Sequence, residues 1–447
     1  MTSLSAPPAA PAAGLSPRRA RFTRRWTPRL VAFGEFIDGY DLLVMGAALL
    51  FLKPAFDLTS LQVGWLSAIA FIGAAVGLVV FGDLSDRFGR KVIFVINLVF
   101  FVAASLAAAF VTEVWQLMIA RFLIGVAVGM DIPTSHAFLT EIAPKQKRGR
   151  IAGSLPNMMW LCGAITSVLV ALALRDIAGE NTWRWMFGLA AVPALAVLIA
   201  RQFLPESPRW LRAQGRHEEA ARVFETLGVE EPKAAPAPER RELRKLLRGG
   251  AGRKLVVVAA FFAFNNFGGA VATVAAPVVM TAAGIGAGHT LYFSLAGYTA
   301  GLAAVLAGAL VIDRVNRRTL GLWTCLGVFL AGLGIAFLGD TSDGALLAFY
   351  VCYSLLTWFG PGVLSWVWSS EAFPTQLRGV GSGIAQGAGR LMAALNVTLI
   401  PTMLDHFGLT TVAVAACAYM VCAALVAASP FLATTGKELE EVDATPV

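Results

Sequence analysis

The sequence predicts an all-α membrane protein of twelve spanning helices, arranged as two pseudo-symmetric six-helix bundles, and three observations carry that prediction. First, 57% of the 447 residues are hydrophobic and 14% charged, with a mean hydropathy of +0.69. Such a chain has too little polar surface to cover a water-soluble globule of its size. Second, Gly82-Asp83-Leu84-Ser85-Asp86-Arg87-Phe88-Gly89-Arg90-Lys91 lies between two long apolar runs and has a degraded twin at Asp313-Arg314-Val315-Asn316-Arg317-Arg318. Third, Glu141-x-x-Pro144-x-x-x-Arg148-Gly149 recurs as Glu371-x-x-Pro374-x-x-x-Arg378-Gly379 at nearly the same offset. Two motifs repeating together point to an internal duplication.

Taken in order, residues 1–27 read as a disordered cytoplasmic tail: a Pro/Ala/Ser-rich stretch, then the basic cluster Arg18, Arg19, Arg21, Arg24 and Arg25, which suits an anionic membrane surface. Apolar segments of spanning length follow at about 28–52, 60–82, 92–112, 115–140, 150–174 and 184–204, which make the N-terminal bundle, 28–204. The polar stretch 205–253 is a cytoplasmic linker, in which Ser207-Pro208-Arg209-Trp210 opens one short helix to about Thr226 and Pro238 to Leu247 gives a second, basic one. Six more spans, at about 254–280, 289–312, 319–338, 345–369, 379–402 and 408–434, make the C-terminal bundle, 254–434. Residues 435–447 are left as a cytoplasmic tail.

Charge placement orients these spans. Of the 36 Lys and Arg, all except Lys53, Arg121, Arg175, Arg184 and Arg390 fall in the two tails, the even-to-odd loops or the span margins beside them. By the positive-inside rule both termini and the linker are cytoplasmic, in a multi-pass protein of the plasma (inner) membrane. The basic balance therefore reports topology and needs no nucleic-acid partner. The apolar run after the tail is too long for a cleaved signal peptide. All five Cys fall inside spans and read as small buried hydrophobes, and four scattered His give no metal site. No phosphate loop, Walker motif or nucleophile elbow is present, which excludes the common enzyme classes and ATP-driven transport. No cofactor is expected.

Ionisable residues at bilayer depth are expensive and mark function by default. The first span carries Glu35, Asp38 and Asp41, and the fourth carries Arg121, Asp131 and His136. The seventh has only Asn265 and Asn266 in return, so proton handling is expected in the N-terminal half and uncharged substrate contacts in the other. Counting ~1.5 Å per residue, Asp41 sits ~18 Å above Arg29, Asp131 ~15 Å from Glu141, and Arg390 ~18 Å above Arg378, all near mid-membrane, with Arg121 farther out. Glu35 is near enough to the inner end to be interfacial, and His136 reads as a satisfied buried histidine. Gly125 and Gly129 before Asp131 have the small-xxx-small spacing of a tight helix crossing.

The duplicated loop motif, the twelve spans and the long linker together resemble the major facilitator superfamily from about Arg29 to Leu432. Pro205-Glu206-Ser207-Pro208-Arg209-Trp210-Leu211, Gly39-Tyr40-Asp41 and Gly360-Pro361-Gly362 ahead of Glu371-Ala372-Phe373-Pro374-Thr375 are similar to the sugar-porter branch. Gly129-Met130-Asp131-Ile132-Pro133 is similar to a pattern of phosphate and organic-metabolite proton symporters. The resemblance implies that Asp41 binds the coupling proton with Arg121 as its partner, and Asp38 and Asp131 join them as candidates. It also implies that Asp86, Arg87, Arg90, Glu141, Arg148, Glu206, Arg314, Glu371 and Arg378 form a cytoplasmic gate latching the two halves. Sugar porters carry a Gln-Gln pair in the seventh span where this chain has Asn265-Asn266, which leaves a hexose in doubt.

Substrate contacts are expected from Asn157, Asn265, Asn266, Trp366, Gln386 and Arg390, with Asn396, Trp358 and Trp368 as further lining. The expected function is proton-coupled symport of a small polar metabolite, a sugar, polyol or organic acid, by a monomer. Arg390 and Asp131 tilt that list slightly away from a plain hexose. A facilitator or proton-antiport exporter of the same fold is the alternative.

Overall fold

The structure, a computed structural model, describes residues 17–143, 149–229, 249–312, 314–373 and 378–432. The first bundle consists of α1 (Pro17–Ala55), α2 (Ser60–Phe88), α3 (Arg90–Ala109), α4 (Val114–Ile142), α5 (Leu155–Ala178), and a sixth span broken at Ala190 into α6 (Thr182–Leu189) and α7 (Ala191–Arg201). Two short helices, α8 (Pro208–Ala213) and α9 (His217–Leu227), occupy the first half of the linker. The second bundle runs α10 (Gly249–Gly269) and α11 (Ala276–Ala282) as the seventh span, then α12 (Ala287–Val311) and α13 (Arg317–Leu338). It ends with α14 (Asp343–Thr357) and α15 (Val363–Glu371) as the tenth span, α16 (Arg378–Phe407) and α17 (Thr410–Ala428). Nine stretches among the described residues are long and apolar enough to cross a membrane, one of them the 47-residue run Leu155–Arg201 that holds two spans. The spans missing from that set are α1 and α16, which carry Glu35, Asp38 and Asp41, and Arg390.

The duplication is visible in the packing. Span 1 lies along span 5 (α1 on α5) as span 7 lies along span 11 (α10 on α16), and α3 meets α6 and α7 as α13 meets α17. The halves meet where α2 runs along α16 and α5 along α12. Each half has its own apolar cluster, one built around Leu42, Met45, Leu66 and Phe187, the other around Phe261, Val305, Tyr353 and Trp368. Large apolar side chains such as Phe110, Ile177, Val256, Trp323 and Phe337 point outward, as a hydrocarbon solvent requires. Cys352 and Cys417 belong to this outer face, whereas sequence reading placed them inside; a cysteine is small and apolar enough for either surface.

The expected small-residue crossing is present between α2 and α4. A Cβ at Gly125 would stand 2.1 Å from the Ala70 carbonyl oxygen, and one at Gly129 2.3 Å from that of Ala74. Only glycine allows this approach, because the neighbour is backbone and cannot turn aside.

One boundary differs from the sequence reading. Residues 17–27, assigned to the disordered tail, are helical and continue into the first span, since Arg is a good helix former and Phe22, Trp26 and Arg29 stack one turn apart. The helix α9 covers the basic end of the first bundle, with Leu227 among Val31, Phe138 and Ile142. The tail 1–16, the basic segment from Pro238 to Leu247 and residues 433–447 lie outside the described residues.

Candidate functional site

The cavity between the halves encloses roughly 870 Å³ including its mouth. Its walls come from both bundles, and two of the elements that shape it are broken helices. At Gly269, α10 gives way to a 3-10 turn, Ala270–Ala272, and Thr273 leaves helical geometry before α11 begins. The freed carbonyls are taken up by tyrosines: Tyr353 Oη donates to Gly268 O at 2.7 Å and Tyr298 Oη to Thr273 O at 3.0 Å. Irregular backbone is tolerated at membrane depth when protein groups satisfy it in this way, and such breaks characteristically line transport sites. The tenth span widens into a π-turn over Trp358–Gly362, where Pro361 removes a helix donor, and the turn presents Trp358 to the cavity.

Of the residues expected to touch substrate, Asn157, Asn265, Asn266, Trp366, Gln386 and Arg390 all line this cavity, as does Trp358. Asn396 and Trp368 do not. The Asn396 amide donates to Phe267 O and the Trp368 indole to Leu432 O, so both are packing residues. Trp160, Thr273, Thr357 and Ser365 line the cavity without having been singled out. Their residue types are common throughout the spans, so position alone reveals them. Asn265 Oδ1, Gln386 Oε1 and Trp358 Nε1 are buried and have no hydrogen-bond partner among the described residues. Buried polar atoms are normally satisfied, so these two acceptors and one donor are available to a bound ligand or to water.

The buried acids are sorted by partner. Asp41 pairs with Arg121, Nη1 to Oδ2 at 2.7 Å, with both side chains 1% exposed. The Arg121 guanidinium also lies 5.5 Å over the Phe187 ring. Depth counting set Asp131 closer to Asp41 than Arg121 is; the long guanidinium closes that distance, and Asp131 instead belongs to Arg201. Arg201 bonds both Asp131 oxygens, at 2.5 and 3.2 Å, and donates to Val31 O at 2.8 Å. Asn97 and Ser135 complete the Asp131 shell at 2.7 and 2.8 Å. This ion pair fits against α1 because residue 34 is glycine: a Cβ there would stand 2.1 Å from Asp131 Oδ2 and 2.2 Å from Arg201 Nη2. Arg201 sat unnoticed in the sequence because a basic residue at the inner end of a span reads as a topology signal.

Glu35 is the clearest correction. Expected as an interfacial acid, it is 1% exposed and lines the central cavity, and His136 Nε2 stands 3.2 Å from its Oε1. His136 in turn stacks on Trp366 with ring centroids 4.2 Å apart. Asp38 is also buried, one turn along α1, and Arg390 lies within electrostatic reach of both Glu35 and Asp38 and 5.9 Å over the Phe71 ring.

At the basic end, Glu206 accepts from the backbone N–H groups of Arg90 and Lys91 at 2.9 and 3.2 Å, which places a carboxylate on the N-terminus of α3. Arg90 donates to Ser85 Oγ at 2.9 Å, while Arg87 is exposed. Arg314, expected in the gate, is exposed; Arg317 reaches Glu371 instead. Aligning the two loop motifs, Asp86-Arg87-x-x-Arg90 on Asp313-Arg314-x-x-Arg317, puts Arg317 opposite Arg90 and could have found it. The pairs described here stay within one half. Arg148 and the side chains of Asp86, Glu141 and Arg378 lie outside the described residues.

A two-bundle helical membrane protein with a central polar cavity and buried acid–base pairs is a secondary transporter of the major facilitator fold and not an enzyme. The chain belongs to the family described as "Sugar (and other) transporter", whose model matches residues 29–445. Among its relatives, the probable metabolite transport protein CsbC of Bacillus subtilis is 31% identical over 93% of this chain and 92% of its own. The glucose transporter GlcP of Staphylococcus epidermidis is 31% identical over 93% of this chain and 95% of its own, and the D-xylose transporter of Levilactobacillus brevis 29% identical over 84% and 86%. The solved proton:xylose symporter XylE bound to 6-bromo-6-deoxy-D-glucose superposes with a TM-score of 0.81 at 22% identity, covering 95% of this chain and 99% of that one.

Proposed function

We propose that the protein is a proton-coupled symporter that carries a small neutral polyhydroxylated metabolite, a sugar or polyol, by alternating access of its two halves to the central cavity. The observation that carries this reading is the chemistry of the cavity wall: aromatic faces of Trp160, Trp358 and Trp366 beside the unmatched polar atoms of Asn265, Gln386 and Trp358. Hydroxyls can satisfy both kinds of atom, and C–H faces of a ring can lie on the indoles. The names of the glucose and D-xylose transporters among the relatives support the same class. An organic acid is the second reading, since Arg390 lines the cavity. Its charge is already met by Glu35 and Asp38, and Asp131, the other reason for preferring an anion, is engaged by Arg201.

In this reading the Asp41–Arg121 pair carries the coupling. A buried carboxylate can hold either a guanidinium or a proton, so exchange of one for the other as the halves move ties proton passage to substrate passage. The proton gradient is the energy source, no cofactor takes part, and both termini face the cytoplasm of a cell whose plasma membrane holds the monomer. A thermal-shift screen of sugars, polyols and carboxylates on purified protein, followed by uptake of the best ligand into proteoliposomes with and without an inward pH gradient, tests it. Accumulation that needs the gradient supports symport; equal uptake without it leaves a facilitator, and counterflow of protons an exporter.

A further inference from the structure

Among the described residues, the ionisable groups around the inner wall of the cavity fail to balance by one charge when all the acids are ionised. Three acids, Glu35 and Asp38 of α1 and Asp131 of α4, share this region with two guanidiniums, Arg201 of α7 and Arg390 of α16. Arg201 is committed to Asp131, bonding both oxygens. Arg390 reaches Glu35 and Asp38 and can compensate one of them; Asp38 Oδ2 has no hydrogen-bond partner among the described residues and is buried to 3% exposure. Among the described residues, the other elements packed here contribute Asn97 of α3, Asn157 of α5, Asn265 of α10 and Trp366 of α15, none of them ionisable. With all three acids ionised, one negative charge would be left at bilayer depth, at a cost of a few kcal/mol. Among the described residues His136 of α4 is the remaining titratable group here, and its Nε2 is 3.2 Å from Glu35 Oε1, an ion-pair distance.

We propose that Glu35 and His136 form a second proton-binding site on the wall of the substrate cavity, distinct from the Asp41–Arg121 pair. A proton arriving through the cavity adds to Nε2 of the neutral imidazole and converts the contact into an imidazolium–carboxylate pair. Glu35 is then matched by His136, Asp38 by Arg390 and Asp131 by Arg201, and the cluster is neutral. Departure of the proton restores the neutral imidazole and one net negative charge facing the cavity. The site stands whether or not Asp41 couples transport, because no residue is shared between the two.

Trp366 is a built-in reporter, since His136 stacks on it with planes 7° from parallel and an imidazolium at that distance quenches indole emission. The experiment titrates the intrinsic fluorescence of the full chain in lipid nanodiscs, without substrate, over about pH 5 to 8 where histidine changes charge. Emission should fall on acidification in a one-proton transition in the wild type and in Asp41→Asn, and the transition should be lost in His136→Gln and Trp366→Phe. In Glu35→Gln it should be displaced from its wild-type position, because the imidazolium has lost its counter-charge. Should His136→Gln fold poorly, ring nitrogen-15 shifts of the four histidines in the wild type read the same protonation directly. A wild type without the transition, or a transition that survives His136→Gln or disappears in Asp41→Asn, overturns the site, and an unchanged Glu35→Gln overturns the pair.

Discussion

Asp41 and Asp131 are the same side chain at comparable depth, and what surrounds each gives it different work. Asp131 is saturated by Arg201, Asn97 and Ser135, whereas Asp41 has Arg121 on one oxygen and no hydrogen-bond partner for Oδ1 among the described residues. A carboxylate with one partner can exchange it for a proton; one held by three cannot do so without dismantling a buried network. Asp41→Asn should therefore abolish accumulation against a gradient while leaving exchange at equal concentrations, measured as counterflow in proteoliposomes; retained proton-driven accumulation would remove Asp41 from the coupling. Arg201→Met should act on folding instead. It strands Asp131 in the bundle, costs about 3–5 kcal/mol, and should lower the melting temperature far more than Asp41→Asn does. Arg390→Lys separates the substrate classes: for a neutral ligand, stability falls and affinity per folded molecule is nearly kept, whereas a carboxylate ligand loses its bidentate partner and binds much more weakly.

At the scale of elements, close helix crossings and broken helices decide where the side chains of the site stand. The α2–α4 crossing sets the position of α4, which carries Arg121, Asp131 and His136 together. Gly129→Val drives a side chain into the Ala74 carbonyl, 2.3 Å from the first added carbon, and should cost at least about 1–3 kcal/mol. Detergent melting curves check it, and an unchanged melting temperature would mean that the crossing is looser than described. The glycine spacing on α4 was readable in the sequence because it repeats every four residues on one face. The break of α10 after Gly269 was not, since Gly-Gly-Ala-Val-Ala is equally at home in an unbroken membrane helix. The break depends on tyrosines of α12 and α14 whose hydroxyls donate to its loosened carbonyls.

For the whole molecule, the repeated loop motifs end as braces within each half. Glu206 holds the start of α3, and Arg317 holds Glu371, so among the described residues the basic end of each bundle is braced within its own half. Glu371→Gln removes the ion pair that Arg317 makes with that residue and should loosen the end of the second bundle. Cysteine probes placed on the inner mouth should then react faster, and transport should slow. Reactivity and transport both at wild-type levels would show that the brace does not bear on the opening of that mouth.

Hydropathy, the placement of Lys and Arg and the paired motifs sum over whole spans, and a sum over a span can be read along one dimension. The sequence by itself therefore determined the membrane class, the span pattern, the duplication and most of the polar residues that line the cavity. Partners are a different kind of fact. Arg121 is 80 positions from Asp41, and Arg201 is 70 from Asp131. The meaning of a buried charge lies in the group opposite it, and that group is chosen by how each helix is rotated about its axis and where its neighbours cross it. Only the tertiary structure decided that Glu35 faces the cavity with His136 and that Asn396 and Trp368 face away from it. It also decided that Arg317, not Arg314, meets Glu371: Arg314 stands in the turn after α12 and Arg317 opens α13, a difference of backbone geometry that leaves hydropathy unchanged.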